Sequence, residues 1–178
     1  MHIRLVSTAD ADALLAIYNP EVIETVVTFD LVPGVTQDMV TWIESHLGAH
    51  PAIVAVADSD DEAPEGTPRN REGDAILGYA SIREFRDRPA YATTVENSVY
   101  VARSARGRGI ARLLMDELIA MATDAGFHSM IARIVGDNEH SIKLHEACGF
   151  ELVGIEREVG RKHGRWLNVV EMQRLLGS

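Results

Sequence analysis

The sequence predicts an α/β domain with a mixed central sheet of about seven strands and helices on both faces. Three observations carry this. Seven short runs are rich in β-branched and aromatic residues. Four stretches place apolar residues at helical spacing. The two kinds of segment follow the order β-α-α-β-β-β-α-β-α-β-β, which calls for a mixed sheet.

Taken in order, residues 2–6 alternate and form the first strand. Ser7 and Thr8 can cap a helix from near Ala9, with Ala13, Leu14, Ile17 and Tyr18 on its buried face; Pro20 ends or breaks it. Residues 22–28 are β-branched, and Pro33-Gly34 marks a turn. Thr36 can cap a second helix with Met39, Val40, Ile43 and Leu47 on one face. Residues 52–57 form an apolar strand. Residues 58–74 are acidic, carry prolines and glycines and have almost no apolar side chain, so they predict a mobile, solvated hairpin loop remote from the turn at Gly107 and Gly109. Its alternative reading is an acidic lure for a basic partner. Strands follow over 75–85 and 93–101, joined by a loop with Pro89. A long helix over 110–125 is closed by Gly126. Next come a strand over 129–135, a short helix capped by Asp137 or Asn138 and ended at Gly149, and strands over 150–159 and 166–175 joined by residues 160–165.

The stretch from Val99 to Leu114 organises this chain. A strand ends at Val101, and a helix starts at Ile110 with Leu113, Leu114, Leu118 and Met121 at helical spacing. Between them stand Gly107 and Gly109, each preceded by an arginine, Arg106 and Arg108. A glycine turn feeding a helix lets backbone N–H groups approach an anion, and the helix dipole favours it there. The stretch reads as a pyrophosphate cradle; the plainer reading is a strand-to-helix turn with solvated arginines. It is not the Walker pattern, and Arg112 stands where the dinucleotide fingerprint needs its third glycine.

Composition limits the alternatives. A chain of 178 residues makes one domain, 1–178, large enough to need no disulfide or metal staple. Its single cysteine, Cys148, suits a reducing compartment, with the cytoplasm as the default. Neither a signal peptide nor a membrane span is expected. A net charge of -10 argues against nucleic acid as the main partner. The seven histidines show no metal-ligand spacing, so no metal is expected.

Arg106-Gly107-Arg108-Gly109-Ile110-Ala111 resembles the Arg/Gln-x-x-Gly-x-Gly/Ala signature of the GNAT N-acetyltransferases, and the element order is similar to theirs. Within that family the chain looks closest to the phosphinothricin and methionine sulfoximine acetyltransferases. The matching stretches are Ile17-Tyr18-Asn19, Thr28-Phe29-Asp30, Gly78-Tyr79-Ala80, Arg86 with Pro89-Ala90-Tyr91, and Thr94 to Val101. They continue with Leu144-His145-Glu146, Gly149-Phe150 and Val159 to Trp166. The resemblance implies a GNAT fold, acetyl-CoA as co-substrate, a small amino-acid-like amine as acceptor and a homodimer. A protein N-terminus or polyamine as acceptor, and an acyl-CoA sensor without turnover, are the competing readings.

Acetyl transfer to an amine needs a proton acceptor, a donor for the oxyanion and a proton for the departing thiolate. Glu96, on an otherwise uncharged central strand, is the expected base, acting directly or through water; the alternative is pairing with an arginine across the sheet. The resemblance implies that Val99, Tyr100 and Val101 bind pantetheine where strands splay, with a backbone N–H near Val101 as oxyanion donor. It implies diphosphate contacts along Arg106, Gly107, Arg108, Gly109, Ile110, Ala111 and Arg112, and a cofactor contact from Asn138, which can equally be a helix cap. His145 stands where many members carry a tyrosine general acid, and a surface histidine is its plainer reading. For the acceptor, Arg86 offers a carboxylate fork while Phe29 and Tyr91 wall the pocket. Lys162, His163 and Arg165 read as a basic hairpin tip reaching a neighbouring subunit or standing in solvent. Cys148, Trp42 and Trp166 read as packing residues.

Overall fold

The computed structural model describes residues 1–46, 48–59 and 63–177. The chain runs β1 (His2–Leu5), α1 (Ala11–Glu24), α2 (Thr36–Ser45), β2 (Ala52–Val56), β3 (Ile76–Glu84), β4 (Thr94–Val101), α3 (Ile110–Asp124), β5 (Ser129–Val135), α4 (Glu139–Ala147), β6 (Glu151–Lys162) and β7 (Arg165–Leu175). The seven strands form one mixed sheet, as expected, and its spatial order is β1-β2-β3-β4-β5-β7-β6. Every pairing is antiparallel except β4 with β5.

Side-chain alternation divides the sheet into two faces. Tyr79 faces α1 and α2, with Trp42 of α2 6.0 Å from its ring. Its neighbour Gly78 faces α3: a Cβ there would lie 3.3 Å from Leu114 and 2.7 Å from the Tyr100 carbonyl oxygen. Glycine is therefore needed at 78 chiefly for close approach of the β4 backbone, with α3 also near, and not for turn geometry. The core fills both layers, with Leu14, Ile43, Ile82, Leu114, Leu118 and Met130 fully buried. Among the described residues no helix is long and apolar enough to cross a membrane.

Several expectations need correction. Pro20 does not end α1, which continues to Glu24; residues 22–24 are its last turn rather than extended chain. Thr36 does not cap α2, because Val35 holds that position and the Thr36 hydroxyl donates instead to Asp12 Oδ1 at 2.7 Å. Leu47, expected on the α2 face, lies outside the described residues, as do Asp60, Asp61 and Glu62 of the acidic loop. The rest of that loop is neither wholly solvated nor remote. Asn70 is buried and donates to Asp10 Oδ1 at 2.9 Å, and Thr67 Oγ1 lies 3.1 Å from Ser104 Oγ, just before the glycine turn. Residues 160–165 are not a loop: Lys162 pairs with Arg165 across a two-residue turn, His163 and Gly164, both with positive φ. Lys162 is buried and donates to the Thr28 carbonyl at 2.8 Å, so it pins a neighbouring segment instead of forming a basic tip.

Trp166 is also not a packing residue. It is 60% exposed, with the Arg161 guanidinium 5.4 Å from its ring. Cys148 is buried, as expected.

Candidate active site

The site begins where two strands part. β4 and β5 are parallel neighbours for only three residue pairs, Thr94–Ser129, Val95–Met130 and Glu96–Ile131. Beyond Glu96 they diverge while β4 stays paired with β3 as far as Val101. Val99 to Val101 thus have a neighbour on one side only. Asn97 sits at the fork, and its Nδ2 donates to the Ile131 carbonyl at 3.1 Å.

A cavity opens on each face of the gap. The first, about 660 Å³, lies under α1 and α2 and is lined by Tyr18, Phe29, Asp30, Trp42, His46, Tyr79, Arg83, Glu96 and Tyr100 among others. The second, about 640 Å³, lies under α3 and α4 and is lined by Asn97, Val99, Val101, Ile134, Asn138, Leu144, His145 and the glycine turn. Ser98, Tyr100, Arg133 and Val135 border both, so the cavities meet through the gap.

The second cavity ends at the cradle. Gly107 and Gly109 have φ of 77° and 78°, and a Cβ on either would meet nothing within 4 Å. Backbone conformation, not crowding, therefore selects glycine there. Gly109 caps α3, leaving the first-turn amides of Ile110, Ala111 and Arg112 without intrahelical acceptors. Arg106 lines this groove, with Nη2 2.9 Å from Glu21 Oε1, and Arg103 Nε lies 2.8 Å from the same atom. Sequence reasoning missed Glu21. Its signal was an acid three residues after Tyr18, on the buried face of α1. Arg112 lines the groove and ties α3 to α4 through the Ala147 carbonyl at 2.6 Å. Arg108 is exposed on the same turn. Asn138 caps α4, accepting from the Ser141 amide at 3.3 Å, and also lines the groove.

His145 is 3% exposed. Its Nδ1 lies 2.8 Å from the Ser141 carbonyl, and its Nε2 lies 3.0 Å from Asn97 Oδ1. Burial pushes the imidazole below its usual value, while the Ser141 carbonyl works against that. It is not a surface histidine.

Glu96 is buried in the first cavity, directly across from Arg83 on β3, with Oε1 2.6 Å from Arg83 Nη2. The cross-sheet arginine is therefore present, and the carboxylate is charge-paired instead of alone in an apolar strand. The walls are aromatic. Tyr18 meets Tyr100 edge-on at 5.0 Å, and Tyr100 stacks on Tyr79 at 5.3 Å. Burial raises the Tyr100 hydroxyl to about 12, and it raises Tyr18 and Tyr79 as well, so all three hydroxyls stay protonated at neutral pH. Tyr18 donates to Asp30 Oδ2 at 2.6 Å. Burial lowers the His46 imidazole, which stays neutral with Nδ1 2.7 Å from the Trp42 carbonyl.

Phe29 is at this cavity, but Arg86 and Tyr91 do not line it. β3 ends at Glu84, and the Arg86 guanidinium lies 4.7 Å from the Phe85 ring centroid and 5.4 Å from that of Tyr91. The arginines at the cavity are Arg83 and Arg133, the latter ion-paired with Glu156. Strand alternation could have found Arg83, since it shares a face with Tyr79 and Ser81.

Two cavities that reach one gap from opposite faces suit an enzyme that passes a group between two substrates. Comparisons agree. The acetyltransferase (GNAT) domain family matches residues 3–170. The chain is 41% identical over 167 residues to phosphinothricin N-acetyltransferase of Streptomyces coelicolor, covering 94% of this chain and 91% of that one. It is 34% identical to the L-methionine sulfoximine/L-methionine sulfone acetyltransferase of Pseudomonas paraeruginosa, covering 96% and 92%. A solved phosphinothricin acetyltransferase of Sinorhizobium meliloti in complex with acetyl-CoA superposes with a TM-score of 0.84 at 36% identity, covering 99% and 88%. The chain belongs to the GNAT acetyltransferases, and its fold and acyltransferase class are theirs.

Proposed function

We propose that this protein moves an acetyl group from acetyl-CoA to the amine of a small amino-acid-like acceptor of the phosphinothricin, methionine sulfoximine or methionine sulfone type. The observation that carries this reading is the gap between β4 and β5, with an anion cradle at the end of one cavity and a charge-paired carboxylate in the other. The names of the relatives support the acceptor class.

In this reading the diphosphate rests on the amides at the start of α3, beside Arg106. Pantetheine adds along the free side of Val99 to Val101 as an extra strand. The acceptor enters from the α1–α2 face. Its carboxylate meets Arg83 or Arg133, and its side chain lies among Tyr18, Phe29, Trp42 and Tyr79. Glu96 takes the amine proton as nitrogen attacks the thioester carbon, directly or through water. A β4 amide near Val101 steadies the oxyanion. As the C–S bond breaks, His145 gives the thiolate its proton, and the products are the N-acetyl compound and the free thiol.

We place the enzyme in the cytoplasm, since lone Cys148 suits a reducing compartment. We also propose a homodimer. Leu152, Val153, Ile155 and Val159 of β6 are each more than half exposed, and this apolar edge strand is one that a second copy would cover. Sedimentation should give twice the chain mass, and a monomer at micromolar concentration would remove that part.

The test of function is free-thiol release from acetyl-CoA against amino-acid analogues, polyamines and peptides. Turnover is expected with methionine sulfoximine, methionine sulfone or phosphinothricin. Turnover with peptides or polyamines alone would overturn the acceptor class, and no turnover with any amine would overturn the enzyme reading.

A further inference from the structure

The Asn97 side chain is held by two contacts that fix its orientation. Nδ2 donates to the Ile131 carbonyl, so Oδ1 must be the atom facing His145 Nε2 at 3.0 Å. The other ring nitrogen, Nδ1, faces the Ser141 carbonyl oxygen at 2.8 Å. The imidazole thus stands between two groups that only accept hydrogen bonds. A neutral ring carries one N–H and can satisfy one of them; an imidazolium carries two and satisfies both. The Ser141 hydroxyl, 3.4 Å from Nδ1, is too far to change this balance.

We propose that Asn97 is a positioning residue that shifts His145 towards its doubly protonated form and so favours its acting as a proton donor. This rests on the transfer reading above, where His145 serves the departing thiolate. Burial acts the other way and favours the neutral ring. The Asn97 oxygen offsets that burial at the nitrogen turned towards β4. The charged and titratable side chains lining the same groove are Glu21 of α1, Tyr100 of β4, Arg106 of the glycine turn, Arg112 of α3, Arg133 of β5 and His140 of α4. Cys148 lies three residues beyond His145, and the edge of the Phe150 ring meets the imidazole at 5.0 Å. None of these contacts gives either ring nitrogen a hydrogen-bond donor. When the ring surrenders its proton, one acceptor is left facing a lone pair, which favours recharging from solvent before the next cycle.

The experiment is an NMR titration of the His145 ring in the free protein, assigned by loss of its signal in His145→Gln. The comparison is wild type, Asn97→Leu and Asn97→Asp. Asn97→Leu removes the acceptor at Nε2 and should lower the midpoint. Asn97→Asp keeps an oxygen there, adds charge and should raise it. The expected order is Leu below wild type below Asp, by about one pH unit at each step. One shared midpoint would overturn the proposal and leave Asn97 as a bridge between β4 and β5. If Asn97→Leu fails to fold, wild type against Asn97→Asp still decides the sign. Because no substrate is present, absence of turnover in the thiol assay would leave this order intact. Conversely, a shared midpoint in an enzyme that turns over amino-acid analogues would sink only the role of Asn97.

Discussion

On β4 consecutive side chains leave the sheet on opposite faces, so Glu96 enters the cavity under α1 and α2 and Asn97 the groove behind it. Glu96→Gln should lower kcat by about 10²- to 10⁴-fold while leaving acetyl-CoA affinity near wild type, measured by calorimetry. An unchanged kcat would remove Glu96 from the mechanism. A second residue-scale prediction concerns pH. Burial of Asp10 alone would raise its carboxyl, but hydrogen bonds from Arg4, Asn70 and the Ser7 amide, with the Arg4 charge, hold it below 3.8. The folded chain then binds that proton at lower pH than the unfolded chain does. The stabilisation is complete above about pH 4 and is lost as pH falls through the folded value. Asp10→Asn should therefore lower Tm at pH 7 by several degrees, about 1–3 kcal/mol, with the gap closing below pH 4. An equal gap at pH 3 and pH 7 would contradict this. Glu96, His145 and Asn138 were legible as residue types at motif positions. Arg83, Glu21 and the amide of Asn97 were missed: spacing puts Arg83 and Glu21 on the right faces, but each of the three acquires its partner only through pairing across the sheet or packing of α1.

At the scale of elements, the β6–β7 hairpin shapes the cavity under α1 and α2 from outside. Lys162 pins the Thr28 carbonyl, and Gly160 lies against Phe29, where an added Cβ would sit 2.5 Å from the ring. Gly160→Ala must push Phe29 aside. It should raise KM for the acceptor several-fold and leave KM for acetyl-CoA unchanged, as steady-state kinetics would show. A rise in both would mean that the hairpin supports the whole sheet. The hairpin turn itself was misread in sequence, since basic residues on both sides of His163-Gly164 hid a two-residue turn with positive φ. Pro20 misled for a similar reason: a proline can continue a helix where packing on both sides holds it, and α1 is held by the sheet and by Arg103, which donates to the Pro20 carbonyl. Strands and helices with strong periodicity, such as β5 and α3, were placed to within a residue or so.

The whole molecule is a sheet opened at one point, with a cavity on each face reaching the gap. The order of elements made the fold readable from sequence. The opening was expected only from the family resemblance, because strand composition does not show where pairing stops after Glu96. The most direct test is the structure of a complex with acetyl-CoA. The diphosphate should lie on the amides from Gly107 to Arg112, with the thioester between Val99–Val101 and β5 and its carbonyl carbon open to Glu96 through the gap. A diphosphate bound elsewhere, or a thioester separated from Glu96 by a closed sheet, would contradict the account.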